Sequence, residues 1–399
     1  MTRIGFFLTP TKGWLGGINY FRNLFLAIAM ANRQAAEIYL LVPGDVDGEA
    51  LKMIVPDGSN VTIVRTGLLK KGHPLWVLWR TFRKVFGSDL VARPFIRRHR
   101  LDVVSHSDFL RGTGATVINW LPDFQHIHLP HMFEAGDLAS RKSKYEQLAR
   151  CSDKIVVSSE DARRDLLATQ PKAQTKVRTL RFTSSPPANY WQLQDADRTR
   201  ILDHYDLEPN YFYVPNQFWK HKNHMILPAA IRLAKERGIR LQIVCSGAMV
   251  DHRNPTYRDE FQKEVKSDGI EGSLRILGII AYEDVFALIR FSRAVVNPSR
   301  FEGWSSTVEE CKSVGKRMIL SDIPVHREQL PHGDFFDPDD PAKLAALLEL
   351  ALATDEAPAI AGNELAHLDL NRQRVSAYGD RYLEIVGEAM RDAGKFPAR

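Results

Sequence analysis

The 399-residue chain carries 54 Lys and Arg against 48 Asp and Glu, a formal net charge of +6, with 44% hydrophobic and 26% charged residues. This composition excludes a disordered, collagen-like or low-complexity chain. The length predicts about two domains, each large enough to bury its own core. Cys151, Cys245 and Cys311 are odd in number and widely spaced, with no C-x-x-C pair. They argue against a disulfide framework and a thiolate zinc site, and they fit a reducing cytoplasm. The first residues hold no long apolar core of a secretory signal, and no apolar run reaches the roughly 18 residues of a membrane span.

In chain order, Ile4–Leu8 predicts a strand and Gly17–Ala31 a helix. Between them Gly16-Gly17 lets backbone approach a phosphate at a helix N-terminus, although a simple tight turn reads equally. Lys12 lies in the same loop. Strands follow at Ile38–Val42 and Val61–Val64. Residues 68–100 then gather nine Lys and Arg against the single Asp89, a local excess of +8 that leaves the rest of the chain near −2. Within this stretch Leu75, Leu78, Trp79, Phe82, Val85 and Phe86 share one helical face, with Arg80, Arg83 and Lys84 toward the other. A Trp/Phe face beside an Arg/Lys face suits an anionic membrane surface. A core-facing helix with a solvated basic side is the alternative. Zinc-finger spacing and an RRM signature are both missing, so no nucleic-acid partner is expected.

Asp102–Val104, Thr116–Asn119 and Lys154–Val157 read as further buried strands, and Ser158-Ser159 caps a helix with acids in its first turn. Between the last two strands, NWLPDFQHIHLPHMF brings together Asp123, Gln125, His126, His128 and His131. The i, i+2 histidines have neither carboxylate nor thiolate company at metal-ligand spacing, so no metal is expected. The Ser/Pro-rich FTSSPPAN (Phe182–Asn189) reads as a linker. A second alternating series has strands at Tyr211–Val214, Leu241–Cys245, Leu274–Leu277, Ala294–Asn297 and Met318–Leu320, and a charged helical pattern begins near Leu365. Strands alternating with helices imply parallel, doubly wound sheets. The cleft between two such domains is the default ligand site.

The densest signal is residues 294–326, AVVNPSRFEGWSSTVEECKSVGKRMILSDIPVH. A strand ends at Asn297, Ser305 or Ser306 caps the next helix, and Gly315 ends it. Such a junction offers backbone N–H groups and a positive helix end to phosphate or sugar oxygens. Glu302 in the loop and Glu310 on the helix are separated by seven residues, a spacing that two solvated helix charges also show.

The F-E-G-W frame, Phe301, Glu302, Gly303 and Trp304, with the following VEE, resembles the nucleotide-sugar site of retaining glycosyltransferases of family 4, which have the GT-B fold. The resemblance implies two Rossmann-like, doubly wound parallel-sheet domains facing a cleft. It places an acceptor-side domain at 1–185, a linker at 186–207, a nucleotide-sugar domain at 208–375 and a terminal helix at 376–399 that crosses back toward the first domain. It implies that Glu302 binds donor-sugar hydroxyls and Glu310 the ribose, with Gly303, Trp304 and Ser305 at the sugar or phosphate. Leu207–Leu227 is similar to the family's Arg…Lys loop that grips the diphosphate. Lys222 falls at the Lys position and Gln217 at the Arg position; Gln carries no permanent cation, and Lys220 stands close enough in sequence to compensate. Backbone near Gly278 and Ile280 would read the base, and Gly16-Gly17 would face the diphosphate. At the strand end that carries a His-Asp pair in relatives, Pro122 takes the His position and Asp123 is kept. Asp123, then His126, are the candidates for the reacting-sugar side.

The activity this implies is transfer of a hexose, with mannose a mild preference, from a nucleotide diphosphate sugar to a saccharide or lipid-linked acceptor. The anomeric configuration would be retained, with no metal or cofactor. The enzyme would be cytoplasmic, with residues 68–100 available to hold it on the inner face of a membrane. A GT-B epimerase or phosphorylase, and a non-catalytic basic membrane-binding protein, are the alternative classes.

Overall fold

The computed structural model describes residues 1–10, 15–32, 34–56, 58–354 and 364–394. Lys12 lies outside them. The chain divides into two compact units. Unit 1 comprises Met1–His126, Glu134–Ser184 and Arg372–Arg399, and unit 2 comprises Ile127–Phe133 and Ser185–Asn371.

Unit 1 is built on seven strands: β1 (Thr2–Phe7), β2 (Ala36–Pro43), β3 (Val61–Thr66), β4 (Val103–Ser105), β5 (Thr116–Leu121), β6 (Lys154–Val157) and β7 (Val177–Thr179). They are parallel, in the order β3-β2-β1-β4-β5-β6-β7. Unit 2 has six: β8 (Phe212–Val214), β9 (Ile243–Cys245), β10 (Leu274–Ile276), β11 (Val295–Asn297), β12 (Met318–Ser321) and β13 (Asp334–Phe336), parallel in the order β10-β9-β8-β11-β12-β13. Both orders reverse direction once, at β1/β4 and at β8/β11. That is the doubly wound pattern whose switch point opens a crevice at the strands' carboxyl ends.

The strands form because their apolar runs are covered on both faces. Phe212 and Val214 point into one apolar cluster with Ile243 and Leu227, whereas Tyr211 and Tyr213 point into another with Phe286 and Val308. This is the two-residue alternation of a strand. In unit 1, Phe7, Leu41, Val104 and Trp79 share a core, and Leu121, Leu148, Ile155 and Val157 share a second.

The strands read from sequence are all present, with ends shifted by one or two residues. The edge strands β7 and β13, each three residues long, escape the reading. Residues 186–207, read as a linker, instead fold into unit 2. The helix Asp195–Tyr205 buries Ile201, and Tyr190 and Leu193 join the Phe286 cluster. The terminal helix is Glu364–Asp392. Glu364 pairs with Arg290 at 2.6 Å within unit 2, while Glu388 pairs with Arg178 at 2.5 Å and Asp392 with the buried Lys154 at 2.6 Å within unit 1.

Candidate functional site

The switch point of unit 2 is tied together by side-chain amides. Asn216, just beyond β8, donates to Asn297 Oδ1 at the end of β11 at 3.2 Å. Asn297 Oδ1 also accepts from Ser299 Oγ at 2.7 Å, and Asn297 Nδ2 donates to Ser305 Oγ at 2.9 Å. Gly247 closes one side. Its φ is +135°, and a Cβ there would lie 2.7 Å from Asn216 O, so only glycine lets the β9 end approach the β8 loop so closely.

Glu302 lies in the loop after β11. Its Oε1 accepts from Lys222 Nζ and from Ser299 Oγ, each at 2.7 Å. Burial alone would raise the Glu302 carboxyl, but the Lys222 cation and these two bonds outweigh it and hold it down to about 2. Lys222 is largely buried with it, whereas Lys220 is exposed. The neighbouring histidines add no charge: burial first, and Lys222 second, push His221 and His224 down to about 3. His224 stacks on Phe218 with ring centres 4.0 Å apart. Gln217 is half-buried and brings no cation to this loop.

The helix after this loop, Ser306–Ser313, begins at an N-cap built twice over. Ser305 Oγ accepts from Val308 N–H, and Gln329 accepts from Ser305 N–H at 2.9 Å while donating to Ser305 O at 3.0 Å and to Glu309 Oε1 at 3.0 Å. The Ser305 amide is therefore engaged inside the protein and fixes the helix start. Glu309 is bound by Gln329 and Lys312. Its neighbour Glu310 is buried differently. Its bond from Tyr282 is long, 3.4 Å, and burial pushes its carboxyl up to about 8, so it is largely un-ionised at neutral pH. Gly315 ends this segment with φ +69°, where a Cβ would run into the His367 ring. Gly303 is half-buried and Trp304 is buried, with Lys312 Nζ 5.9 Å from the Trp304 ring centre. Gly278 adopts φ +70° and its carbonyl accepts from Gly247 N–H at 2.8 Å. Ile280 packs on the Phe286 cluster and Ile279 is exposed.

The remaining sequence-derived candidates belong to unit 1. Gly16 and Gly17 fall inside the first turn of the helix Leu15–Asn32, with Gly16 exposed and Gly17 buried. Asp123 Oδ1 accepts from Gln125 N–H at 3.0 Å, and Asp123 O accepts from Tyr145 OH at 2.9 Å. His126 is buried beside Phe124 and Tyr145. The structure thus brings Glu302, Lys222 and Ser299 into direct contact, leaves Lys220 in solvent, and turns Ser305 into a cap.

Residues 199–365 match the family model described as glycosyl transferases group 1. Solved structures share the fold over 97–99% of the chain. The Anabaena protein HepE, in complex with UDP and glucose, is 15% identical, with 97% of this chain and 100% of that one covered and a TM-score of 0.70. A glycosyltransferase from Rickettsia africae is 15% identical over 98% of each chain, with a TM-score of 0.65. Sucrose-phosphate synthase from Thermosynechococcus elongatus is 15% identical over 99% of each, also with a TM-score of 0.65. No curated protein matches by sequence. The fold is GT-B. The group 1 match and this fold support a glycosyltransferase.

Three polar residues of the group 1 segment were missed from sequence. Ser299 stands three residues before Glu302, and Gln329 stands 24 residues after the Ser305 it clamps. The third, His326, faces the Glu302 charge and is kept neutral by burial. Its Nδ1 lies 2.9 Å from Ser321 O, which can only accept, so Nδ1 carries the proton and the buried Nε2 is an acceptor without a partner among the described residues. Only Ser299 carried a readable signal, the hydroxyl just past a strand end. The other two come from the next βα unit, which no local spacing connects to Glu302.

Proposed function

We propose that the protein is a retaining hexosyltransferase of family 4 type, moving a hexose from a nucleotide diphosphate sugar to an acceptor hydroxyl. The observation that carries this reading is the buried Lys222–Glu302–Ser299 cluster at the switch point of the group 1 segment, eight residues from the buried Glu310. Glu302, held ionised, accepts hydrogen bonds from donor-sugar hydroxyls. Glu310 meets the two ribose hydroxyls, its protonated oxygen donating and its other oxygen accepting. Lys222, with Lys220 reaching in from solvent, neutralises the diphosphate. The backbone at Gly303 and Trp304 meets the sugar and phosphate, and that at Gly278 and Ile280 meets the base. In unit 1, Gly16-Gly17 at a helix start suit a phosphate, and Asp123 and His126 are the candidates for the reacting sugar. Gln217 replaces the family's guanidinium, so Lys222 carries more of the phosphate charge here.

In the transfer, the acceptor oxygen bonds to the anomeric carbon as the bond to the diphosphate oxygen breaks on the same face. The acceptor's proton passes to that departing oxygen. Cations and helix N-termini stabilise the developing charge without a metal. The UDP and UDP-sugar complexes of HepE and of a trehalose-6-phosphate enzyme of E. coli make UDP-hexoses the first donors to test, with GDP-mannose beside them. The acceptor is a saccharide or a lipid-linked saccharide. The three free cysteines favour a reducing compartment. A thermal-shift screen of nucleotide sugars is expected to single out one donor, since stabilisation follows mass action. NMR of the product from that donor is expected to show the retained anomer. An inverted anomer, or conversion of the donor without acceptor, would overturn the reading.

A further inference from the structure

The basic helix Pro74–Phe86 of unit 1 is not covered by the core as an ordinary amphipathic helix would be. Trp79 is buried and its Nε1 donates to the buried Asp89 at 2.8 Å, but Val77 is 47%, Leu78 54%, Val85 66% and Phe86 58% exposed. Helical geometry makes these one surface. Val77, Thr81 and Val85 form one i, i+4 row and Leu78, Phe82 and Phe86 the next, with the rings of Phe82 and Phe86 4.5 Å apart. Arg80 and Lys84, one turn apart, line the adjoining strip.

That strip forms one wall of an open basin of about 1240 Å³, whose opposite wall is the helix Ala135–Cys151. Arg80, Arg83, Lys84, Arg111, Lys144 and Arg150 line it, and among the described residues no carboxylate does. Arg83 is bound to Asp108 O at 2.5 Å and lies 3.5 Å from Asp89, and Lys144 pairs with Asp108 at 2.6 Å. Among the described residues Arg80, Lys84, Arg111 and Arg150 form no ion pair. Asp89 holds the wall in place through Trp79, through Leu110 N–H at 2.6 Å and through Arg83.

We propose that unit 1 docks on an anionic bilayer through this helix, its exposed apolar strip entering the interface and the adjacent basin seating the phosphates of lipid headgroups. Charge complementarity selects the occupant. Unpaired cations beside exposed Val, Leu and Phe meet both requirements of an interfacial helix, apolar burial and attraction to anionic lipid. A soluble polyanion would use the cations and leave the apolar strip in water. Among the described residues no helix is long and apolar enough to cross a membrane, so the contact is on the surface.

The test is co-sedimentation of the full chain with vesicles of phosphatidylcholine alone, and of phosphatidylcholine with phosphatidylglycerol at two parts to one. Binding is expected to the mixed vesicles only, and to weaken as salt shortens the screening length. Arg80→Glu with Lys84→Glu is expected to lower partitioning roughly tenfold or more, and Leu78→Asp with Phe86→Asp comparably. Arg150→Gln and Val85→Ser are milder second variants should either pair fail to fold, and each is expected to weaken binding to the mixed vesicles. Equal binding to both vesicle types, or undiminished binding by every folded variant, overturns the proposal. So does loss in the charge variants alone with displacement by inorganic pyrophosphate, which would mark a soluble-phosphate site. Retention of single-stranded RNA without vesicle binding overturns it as well.

Discussion

The two units spend their polar residues in opposite ways. In unit 2 the charged groups that matter are buried and strongly perturbed: Glu302 is held down to about 2 by Lys222 against its burial, and Glu310 is pushed up to about 8 by burial. In unit 1 the excess charge lies in solvent around a basin, and the buried polar groups, such as Asp89 and Lys154, serve as anchors for neighbouring elements. The same doubly wound sheet therefore supports a preorganised polar pocket in one unit and a screened electrostatic surface in the other. Burial decides which, because a charge out of water is costly and must be matched, whereas an exposed charge is cheap and weakly placed.

The strongest way to break this contrast is to remove one partner of the buried pair. Glu302→Ala and Lys222→Ala are each expected to lower kcat/KM for transfer by about 10²–10³-fold, some 3–4 kcal/mol of transition-state stabilisation. Wild-type turnover in either variant would show that the cluster is only structural. Stability gives a second readout. Lys222→Met leaves Glu302 charged and unpaired and is expected to cost about 3–5 kcal/mol, while adding Glu302→Gln restores part of that loss. A double variant less stable than the single would contradict the pairing. Because the folded pKa of Glu302 lies below its ordinary 4.5, its contribution to stability is present above that value and is lost as pH falls from 4.5 toward about 2.

Glu310 has the opposite sign. Its folded pKa lies above 4.5, so stability is lost as pH rises from about 4.5 through 8. Glu310→Gln is expected to raise the melting temperature by a few °C at pH 8 and to leave it nearly unchanged at pH 4. The same variant is expected to weaken nucleotide-sugar binding about 10–100-fold, a loss of about 1.4–2.7 kcal/mol. No gain at pH 8 would mean that the carboxyl is not held un-ionised. Gly247→Ala is expected to cost about 1–3 kcal/mol, read from a chemical melt, because its Cβ would press on Asn216 and Gln217. Unchanged stability there would show that the β8 loop is free to move aside. The smallest expected effect is Asp123→Asn, about 1 kcal/mol of stability or less through its bond to Gln125 N–H. A kcat that falls far more than the melting temperature would mark Asp123 as a participant in transfer; parallel small losses would confine it to shaping the turn.

Much of the fold was legible because its cause is local. Buried parallel strands show as short apolar runs such as Ile4–Leu8 and Ala294–Asn297, and the F-E-G-W frame with its capped helix is contiguous. What was illegible depends on distance in sequence. Residues 186–207 look like a linker because Pro186-Pro187 and the polar run after them mask Tyr190 and Ile201, which are buried only through partners such as Phe286 and Tyr211. Lys220 and Lys222 stand two residues apart in one basic loop, yet of the two Lys222 reaches Glu302, because the single-turn helix Lys220–Lys222 turns the other outward. The face Leu75–Phe86 read as one surface, whereas the structure divides it into a buried edge at Trp79 and an exposed strip through Leu78 and Val85.

The two doubly wound units, the placing of Glu302 and Glu310 around a helix start, and the concentration of positive charge in residues 68–100 are all written in the linear chain. Each of these follows from periodicity, capping chemistry or charge counted along the chain. The protonation of the two glutamates, the neutrality of His221, His224 and His326, and the basin that Arg111, Lys144 and Arg150 complete opposite the basic helix come from packing in three dimensions. Those properties are set by burial and by partners tens to hundreds of residues away, and neither quantity is a property of a residue's neighbours in sequence.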